Sequence, residues 1–512
     1  MPTFRYNEFQ KDQLMMICWL SFGGLDLHIY YYTDKSQKIQ SFPESLEKKE
    51  YSKLLFRRKG KVEKMLKWFL TGPDKPRIQD KAVVKKMYHT ARVQAVTAMI
   101  LGYGMYYVMR MTLGVAKKPM LQDGFTPTEL GMMGAGMLVA IAIGKCANGF
   151  IADHCNIKKI VPLGLLGAAI VNAILGMSNT TWVFIVLWAV NGVFQSMGSA
   201  PCIVSLSQWF AKSQLATYYG VFSIAHYVGE GATYLGTSMI IVALGWHAAF
   251  FVPGVACIVL AFIMYRFMRD RPETYGLPSA NEFEGEVAQE KKEQQVSTKE
   301  AQLMVIKNPY VWLLAAAAIC LGISRYSISS WGVIFLQEAK GFDLVTAGSI
   351  MSLSPILGGV GSFFSGIISD KIFHSHHSVT TIVFGIIMLI GIAGVCYVPA
   401  GDPTLAAVCV AVFGFGLGVI LCFVGGLLAV DLCPRKATGA AMGVIGLLAY
   451  GGAALQDIVN GLLMDSAKVV VDGVTTYHFE TITNFWIASV AIMTLLIVPT
   501  LWAKKHEDAE EK

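Results

Sequence analysis

The chain has 512 residues, of which 54% are hydrophobic and only 15% charged, and its mean hydropathy is +0.51. Ordinary globular proteins carry about 25% charged residues, and a soluble fold needs a large polar exterior. The composition excludes a disordered chain, a collagen-like repeat and a disulfide scaffold. It predicts an all-α membrane protein with many transmembrane helices.

The first 86 residues form a predicted cytoplasmic extension, partly disordered and rich in Lys and Arg. Together with the net charge of +7, this enrichment favours contact with anionic membrane lipid, and no nucleic-acid partner is expected. The apolar stretch 13–25 is too short to span a membrane. Residues 61–70 alternate Lys with apolar residues at helical spacing, which is typical of an interfacial helix and equally of a solvated basic linker.

Twelve apolar runs long enough to cross a bilayer follow. They lie at 91–116, 129–152, 160–177, 181–209, 214–244 and 246–266, and then at 309–336, 344–369, 379–398, 404–430, 437–464 and 481–502. A charged stretch separates the two sets of six. We therefore expect an N-terminal bundle (87–268), a cytoplasmic linker (269–308), a C-terminal bundle (309–503) and a cytoplasmic tail (504–512).

The distribution of Lys and Arg among the short loops predicts the orientation. If the amino terminus is cytoplasmic, the outward loops carry only Lys117, Lys118, Lys340 and Lys468, and nearly all other basic residues face inward. Short loops rich in Lys and Arg stay on the cytoplasmic side. We expect a multi-pass protein of the cell (inner) membrane with both termini in the cytoplasm.

A short motif recurs after the second and the eighth predicted helix. It begins at Gly149 in GFIADHCNIKK and at Gly366 in GIISDKIF, and the offset of 366 − 149 = 217 also relates Asp153 to Asp370. A match at equivalent places in two six-helix halves indicates an internal repeat. We expect this loop motif, which includes Lys371, to control conformational switching and not to touch substrate.

Two arginines interrupt the apolar runs in the first helix of each predicted bundle. Arg110 lies in YYVMRMTLG and Arg325 in ICLGISRYSISSW; 110 + 217 = 327, two positions from Arg325. An Arg at the centre of a membrane helix costs about 2.5–3.5 kcal/mol. The planar guanidinium group grips phosphate oxygens in bidentate fashion. The pair therefore predicts a central site that clamps a doubly charged anion between the bundles.

A buried salt bridge for each arginine is the alternative explanation. It is disfavoured because no acidic residues recur at matching positions of the two halves.

Four further polar residues lie inside predicted helices. Lys145 is in the second helix, and His226 and Glu230 share one face of the fifth at i,i+4 spacing. His226 is a candidate ligand contact and equally a candidate helix–helix hydrogen bonder. Glu230, which can pair with Lys145 or His226, and Asp457 in the eleventh helix are candidate modulators. The HSHH cluster at 374–377 is incidental in a cytoplasmic loop, and no metal, cofactor or enzymatic activity is expected.

Several segments resemble the organophosphate:phosphate antiporter family of the major facilitator superfamily. They are GYGMYYVMR, GKCANGFIAD, VFQSMGSAPC, SIAHYVGEG, GWHAAFFVPG and RDRPETYGLP, and the resemblance covers about residues 85–502. It implies the major facilitator fold, with 12 transmembrane helices in two six-helix bundles.

The resemblance also implies a substrate site. The residues that match the family's site by motif are Arg110, Arg325, Lys145, His226, Tyr103 and Tyr107. The segment HYVGEG departs from the family's common HNVGGG, which places Glu230 near that site.

The family includes carriers that exchange inorganic phosphate for an organic phosphate ester. The resemblance therefore implies such an antiporter, for hexose 6-phosphate first and then for glycerol 3-phosphate or phosphoglycerate, acting as a monomer. Because the family also includes a hexose-phosphate sensor, a sensor that signals to a histidine kinase is the alternative. A proton-coupled carrier that uses Glu230 or Asp457 is a third.

Overall fold

The computed structural model describes residues 68–152, 155–286, 303, 305–433, 438–471 and 474–503. The predictions for the apolar stretch 13–25 and the C-terminal tail lie outside these residues, and so does most of the predicted interfacial helix at 61–70.

Six long helices form the N-terminal half. They are α1 (Lys81–Gln122), α2 (Pro127–Ala152), α3 (Ile157–Leu175), α4 (Thr181–Trp209), α5 (Lys212–Leu244) and α6 (Trp246–Phe267). The Asp80 carboxylate caps α1 by accepting hydrogen bonds from the backbone N–H groups of Ala82 and Val83. Helix α4 is interrupted after Ser196 and resumes at Ser199.

Six more form the C-terminal half. They are α7 (Pro309–Glu338), α8 (Leu344–Ile372), α9 (His377–Tyr397), α10 (Pro403–Leu432), α11 (Thr438–Ser466) and α12 (Glu480–Ile497). The side chains of Asn308, Asp343 and Asp402 cap α7, α8 and α10, since each satisfies backbone N–H groups that the first helical turn leaves unpaired. Helix α10 contains a π-helical turn at Phe423–Leu427.

A β-hairpin that the sequence analysis did not predict joins α11 to α12. Its antiparallel strands are β1 (Lys468–Val471) and β2 (Val474–Tyr477), with Val469 opposite Thr476.

The contacts between helices repeat in the two halves. In the N-terminal half α1 packs on α5, α2 on α4 and α3 on α6; in the C-terminal half α7 packs on α11, α8 on α10 and α9 on α12. The halves meet through α2 with α11, α5 with α8, and α1 with α7. Each of these pairings has its equivalent in the other half, so the predicted repeat is present in the fold as two six-helix bundles.

Two glycines at the bundle interface are related by the same offset, since 348 − 131 = 217. A Cβ atom at Gly131 of α2 would collide with the carbonyl of Asp457 in α11, and one at Gly348 of α8 would lie 2.5 Å from the carbonyl of Tyr234 in α5. Small residues allow helix backbones to approach closely in membranes. The contact of α2 with α11 and that of α5 with α8 both depend on such an approach.

Ten segments of the described chain are long and apolar enough to cross a membrane on length and composition alone. The two remaining long helices, α1 and α5, fall outside that set because polar and charged residues interrupt them. They are also the two longest helices of the described residues, with 42 and 33 residues.

The predicted end of the first helix is wrong. Helix α1 continues to Gln122, and Lys117, expected in an outward loop, has a completely buried side chain within the helix. Charge alone predicts that a lysine near the end of an apolar run lies in a loop. Here the charge of Lys117 is neutralised by the Asp457 carboxylate of α11.

The bundles are closed against each other on the predicted outer face. The Lys118 ammonium in α1 lies 2.8 Å from the Glu338 carboxylate in α7. The backbone N–H of Thr128 in α2 donates to the Asp465 carboxylate in α11 at 3.1 Å. These contacts lie where α1 and α7 end and α2 begins.

Candidate functional site

Arg110 lies at the interface between the bundles, beside tyrosine rings. Its side chain is buried, at 6% exposure. The guanidinium carbon lies 5.2 Å from the ring centre of Tyr107 in α1 and 5.8 Å from that of Tyr450 in α11. Among the described residues no carboxylate forms an ion pair with Arg110, and its Nε–H has no hydrogen-bond partner. A buried cation of this kind needs an anion to compensate it.

Lys145 joins the same site from α2. Its ammonium donates a hydrogen bond of 2.8 Å to the Tyr450 hydroxyl and lies 4.6 Å from the centre of that ring. Tyr450 is therefore shared by Lys145 of the N-terminal bundle and Arg110.

The predicted aromatic residues and His226 line the adjacent wall. The rings of Tyr103 and Tyr107 lie 5.4 Å apart, edge to face, and His226 of α5 is 5.3 Å from Tyr107. The Arg110 guanidinium lies 5.2 Å from the same Tyr107 ring, so His226 and Arg110 both lie beside Tyr107.

Arg325 differs from Arg110 in having an acidic neighbour. Its Nη2 lies 3.8 Å from Oε2 of Glu230, and the side chains are 17% and 6% exposed. Arg325 thus has the acidic neighbour that the salt-bridge explanation requires. Pairing of Glu230 with Lys145 or His226, the sequence-based expectation, is not what the structure has. The acidic partner comes from α5 of the opposite bundle, so comparing equivalent positions in the two halves does not find it.

Tyrosines connect the two arginines. The ring of Tyr326 lies 5.5 Å from the Arg325 guanidinium and 6.2 Å from the ring of Tyr450, which itself lies 5.8 Å from the Arg110 guanidinium. Tyr107 and Tyr326 belong to one buried cluster, against which Tyr450 packs. The arginines therefore face a common aromatic site. Sequence reasoning missed Tyr326 and Tyr450, whose one available signal is a polar hydroxyl within an apolar run.

Asp457 belongs to a buried network next to the arginine site, toward the predicted outer face. Its Oδ1 lies 3.7 Å from the Lys117 ammonium and accepts hydrogen bonds from Ser330 (2.9 Å) and from the indole N–H of Trp331 (2.8 Å). The Lys117 ammonium also lies 3.3 Å from a ring centre of Trp331. A small cavity is lined by both Arg110 and Asp457, so the network adjoins the arginine site. Asp457 thus joins α11 to α1 and α7.

The repeated loop motif is only partly described. Gly366, Asp370 and Lys371 are exposed at the end of α8, and the Asp370 carboxylate accepts a hydrogen bond of 2.7 Å from the Ser375 hydroxyl. Gly149 lies within α2, while Asp153 is outside the described residues. A role in conformational switching stays a prediction.

Two repeated six-helix bundles with a cationic and aromatic site at their interface define the architecture of a membrane transporter whose halves move relative to each other. The family model of the Major Facilitator Superfamily matches residues 99–456. The chain belongs to the major facilitator superfamily, and the family recognised in the sequence is confirmed.

Curated relatives agree with this assignment. The probable hexose phosphate transport protein of Chlamydia trachomatis serovar D is 31% identical over 74% of this chain and 86% of its own. The membrane sensor protein UhpC of Salmonella typhimurium is 28% identical over 86% of this chain and 99% of its own.

Solved structures share the fold at low identity. The nucleoside transporter NupG superposes with a TM-score of 0.61 at 15% identity, covering 81% of this chain and 100% of that chain. At this identity the likeness concerns the fold alone.

Proposed function

We propose that the protein exchanges inorganic phosphate for an organic phosphate ester, with hexose 6-phosphate as the preferred ester and glycerol 3-phosphate or phosphoglycerate next. The observation that carries the proposal is Arg110: a buried guanidinium at the bundle interface with no carboxylate partner among the described residues. Its unpartnered Nε–H is a donor available to an anionic substrate.

The charges of the site suit a phosphate dianion. Arg110, Arg325 and Lys145 carry three positive charges and Glu230 one negative charge, which leaves a formal charge of +2 with His226 neutral. Guanidinium groups bind phosphate oxygens through two parallel hydrogen bonds. Tyr103 and Tyr107 line the space beside them and would contact the ester's organic part.

Alternating access follows from this arrangement. Arg110 comes from the N-terminal bundle (87–268) and Arg325 from the C-terminal bundle (309–503), so an anion held by both draws the bundles together. Without an anion the like charges repel each other, and the empty carrier reorients poorly. Phosphate leaving on one side is then replaced by an ester before the carrier returns.

The carrier acts as a monomer in the cell inner membrane, with both termini and the linker 269–308 in the cytoplasm. The outer-face contacts of Lys118 and Thr128 then describe a state closed to the exterior, and the motif at Gly149 and Gly366 acts on the cytoplasmic side.

The second candidate is a sensor of external hexose phosphate that signals to a histidine kinase. The similarity to UhpC over 99% of that protein supports it. A sensor needs the same substrate pocket, but it gives negligible flux.

Exchange in proteoliposomes tests the proposal. The full-length protein is reconstituted into vesicles loaded with phosphate, and uptake of labelled external phosphate is measured with increasing glucose 6-phosphate, glycerol 3-phosphate or 3-phosphoglycerate. We expect exchange that glucose 6-phosphate inhibits at the lowest concentration and that a pH gradient does not change. Binding without exchange identifies the sensor, and neither binding nor exchange contradicts both.

A further inference from the structure

Glu230 is a buried carboxylate in the site that a phosphate carrier does not need for binding an anion. It lies on α5 at 4% exposure. The position equivalent to it by the repeat offset, 230 + 217 = 447, is a leucine in α11. The charge of Glu230 therefore has no counterpart at the equivalent position of the other half.

Hydrogen bonds from two directions hold the carboxylate in place. Its Oε1 accepts from the Ser329 hydroxyl of α7 at 2.9 Å and from the Tyr234 hydroxyl of α5 at 3.4 Å. The single Tyr234 O–H proton is shared with the Ser329 carbonyl, which at 2.9 Å is the nearer acceptor. Displacing Glu230 would break contacts between the two bundles, so the Glu230 carboxylate is a fixed part of the site.

The distance to Arg325 leaves the guanidinium free to bind. At 3.8 Å the pair exceeds the 2.7–3.2 Å of a hydrogen bond, so Glu230 lowers the local positive potential without occupying the N–H groups of Arg325. Both side chains line one small cavity between α5, α7, α8 and α10. A substrate held by Arg325 would therefore feel the negative charge of Glu230 directly.

We infer that Glu230 is a fixed counter-charge that sets the affinity of the site for anions according to their charge. It weakens the binding of dianions more than that of monoanions, because Coulomb energy is proportional to the ligand's charge. It thereby keeps phosphate from binding so tightly that release becomes slow. Glu230 acts through the potential at Arg325 and is a positioning residue; the inference rests on the proposed function.

Two probes of nearly equal size separate charge from shape. Monofluorophosphate is a dianion and difluorophosphate a monoanion. Their dissociation constants are measured by competition against labelled phosphate on the full-length protein, for the wild type and Glu230→Gln. The glutamine keeps the size of the side chain and an oxygen for Ser329, but it removes the charge.

We expect Glu230→Gln to bind difluorophosphate about threefold and monofluorophosphate about tenfold more tightly, since doubling the charge squares the ratio. In phosphate exchange KM and kcat should both fall. Glu230→Asp, which keeps the charge, should restore wild-type discrimination between the probes. Size-exclusion chromatography in detergent checks the fold of both variants. If Glu230→Gln does not fold, the test uses Glu230→Asp. Its ratio of dissociation constants for monofluorophosphate and difluorophosphate must then lie within about twofold of the wild-type ratio.

Equal changes for the two probes, or weaker binding of the dianion, would overturn the inference while leaving phosphate exchange intact. If the wild type binds neither probe nor phosphate, the proposed function fails, and this inference with it.

Discussion

Arg110 and Arg325 occupy related places in the two halves, yet their neighbours differ. Arg110 is surrounded by the rings of Tyr107 and Tyr450, whereas Arg325 has the Glu230 carboxylate at 3.8 Å. Aromatic faces stabilise a cation by about 0.5–2 kcal/mol, which is less than an anion provides at low dielectric. Arg110 therefore attracts an incoming phosphate more strongly than Arg325 does.

The charged members of the site were predictable, but their tyrosine partners were not. Arg110 and Arg325 stand out because charges are costly in apolar helices, and the repeat offset relates them. Tyr326 and Tyr450 are ordinary residues for a membrane helix. Their importance depends on how closely α7 and α11 approach α1, which no local pattern encodes.

Replacing Tyr450 with Phe tests the tyrosine's contribution. Tyr450→Phe removes the hydroxyl that accepts the 2.8 Å hydrogen bond from Lys145, while the ring beside Arg110 remains. A hydrogen bond to a charged group contributes about 1.5–3 kcal/mol. Because the freed Lys145 loses its position, we expect KM for phosphate exchange to rise about tenfold. Tyr397→Phe, at a 71% exposed position of α9, is the control and should leave KM unchanged.

The buried network around Asp457 connects helices α1, α7 and α11. The Lys117 and Asp457 side chains are 0% and 2% exposed, and Ser330 and Trp331 of α7 complete the set. The sequence analysis predicted these helices from their apolar runs. It placed Lys117 in a loop because a charged residue near a helix end is normally exposed to solvent. The partner of Lys117, Asp457, lies 340 positions later in the chain.

Asp457→Asn should destabilise the protein strongly. It leaves the Lys117 ammonium buried without a counter-ion, and breaking a buried pair in this way costs about 3–5 kcal/mol. We expect a marked fall in the Tm of the purified protein in detergent. The control is Asp74→Asn, which breaks the exposed ion pair with Arg271 and should change Tm little, since such pairs contribute about 0–1 kcal/mol.

A double variant separates charge from packing in the same network. Lys117→Met with Asp457→Leu removes both charges, and apolar replacement of a buried pair is often neutral or stabilising. Recovery of Tm in the double variant is expected. If Asp457→Asn alone has the wild-type Tm, the network does not stabilise the fold.

At the scale of the whole molecule, the described residues form two similar bundles whose interface is closed on the predicted outer face. The contacts of Thr128 with Asp465 and of Gly131 with the Asp457 carbonyl hold α2 against α11 there. The repeat predicted two bundles from the offset of 217, but which face is closed depends on the relative position of the bundles. A periodic sequence is compatible with either state.

Cross-linking the closed face should stop exchange. Cysteines at Thr128 and Asp465, with the exposed Cys146 replaced by Ser, should be joined by a short bis(methanethiosulfonate) cross-linker, which forms a disulfide with each thiol, because these residues are in contact. Exchange of labelled phosphate should cease after cross-linking and return on reduction, since α2 and α11 can no longer separate.

A cross-link within one bundle is the matched control. Cysteines at Val469 and Thr476, which face each other across the hairpin, can be joined without connecting the bundles. Exchange should continue. Undiminished exchange with Thr128 and Asp465 joined would show that the outer interface does not open during transport.

The central claim is that one arginine from each bundle holds the same phosphate. Exchange of labelled phosphate by Arg110→Lys and by Arg325→Lys in proteoliposomes, with Arg77→Lys at the protein surface as control, tests it most directly. Lysine keeps the charge but loses the guanidinium fork, and a charge-assisted hydrogen bond contributes about 1.5–3 kcal/mol. We predict that each site variant loses exchange by about 10- to 100-fold while Arg77→Lys exchanges normally. Wild-type exchange in either site variant would contradict the account.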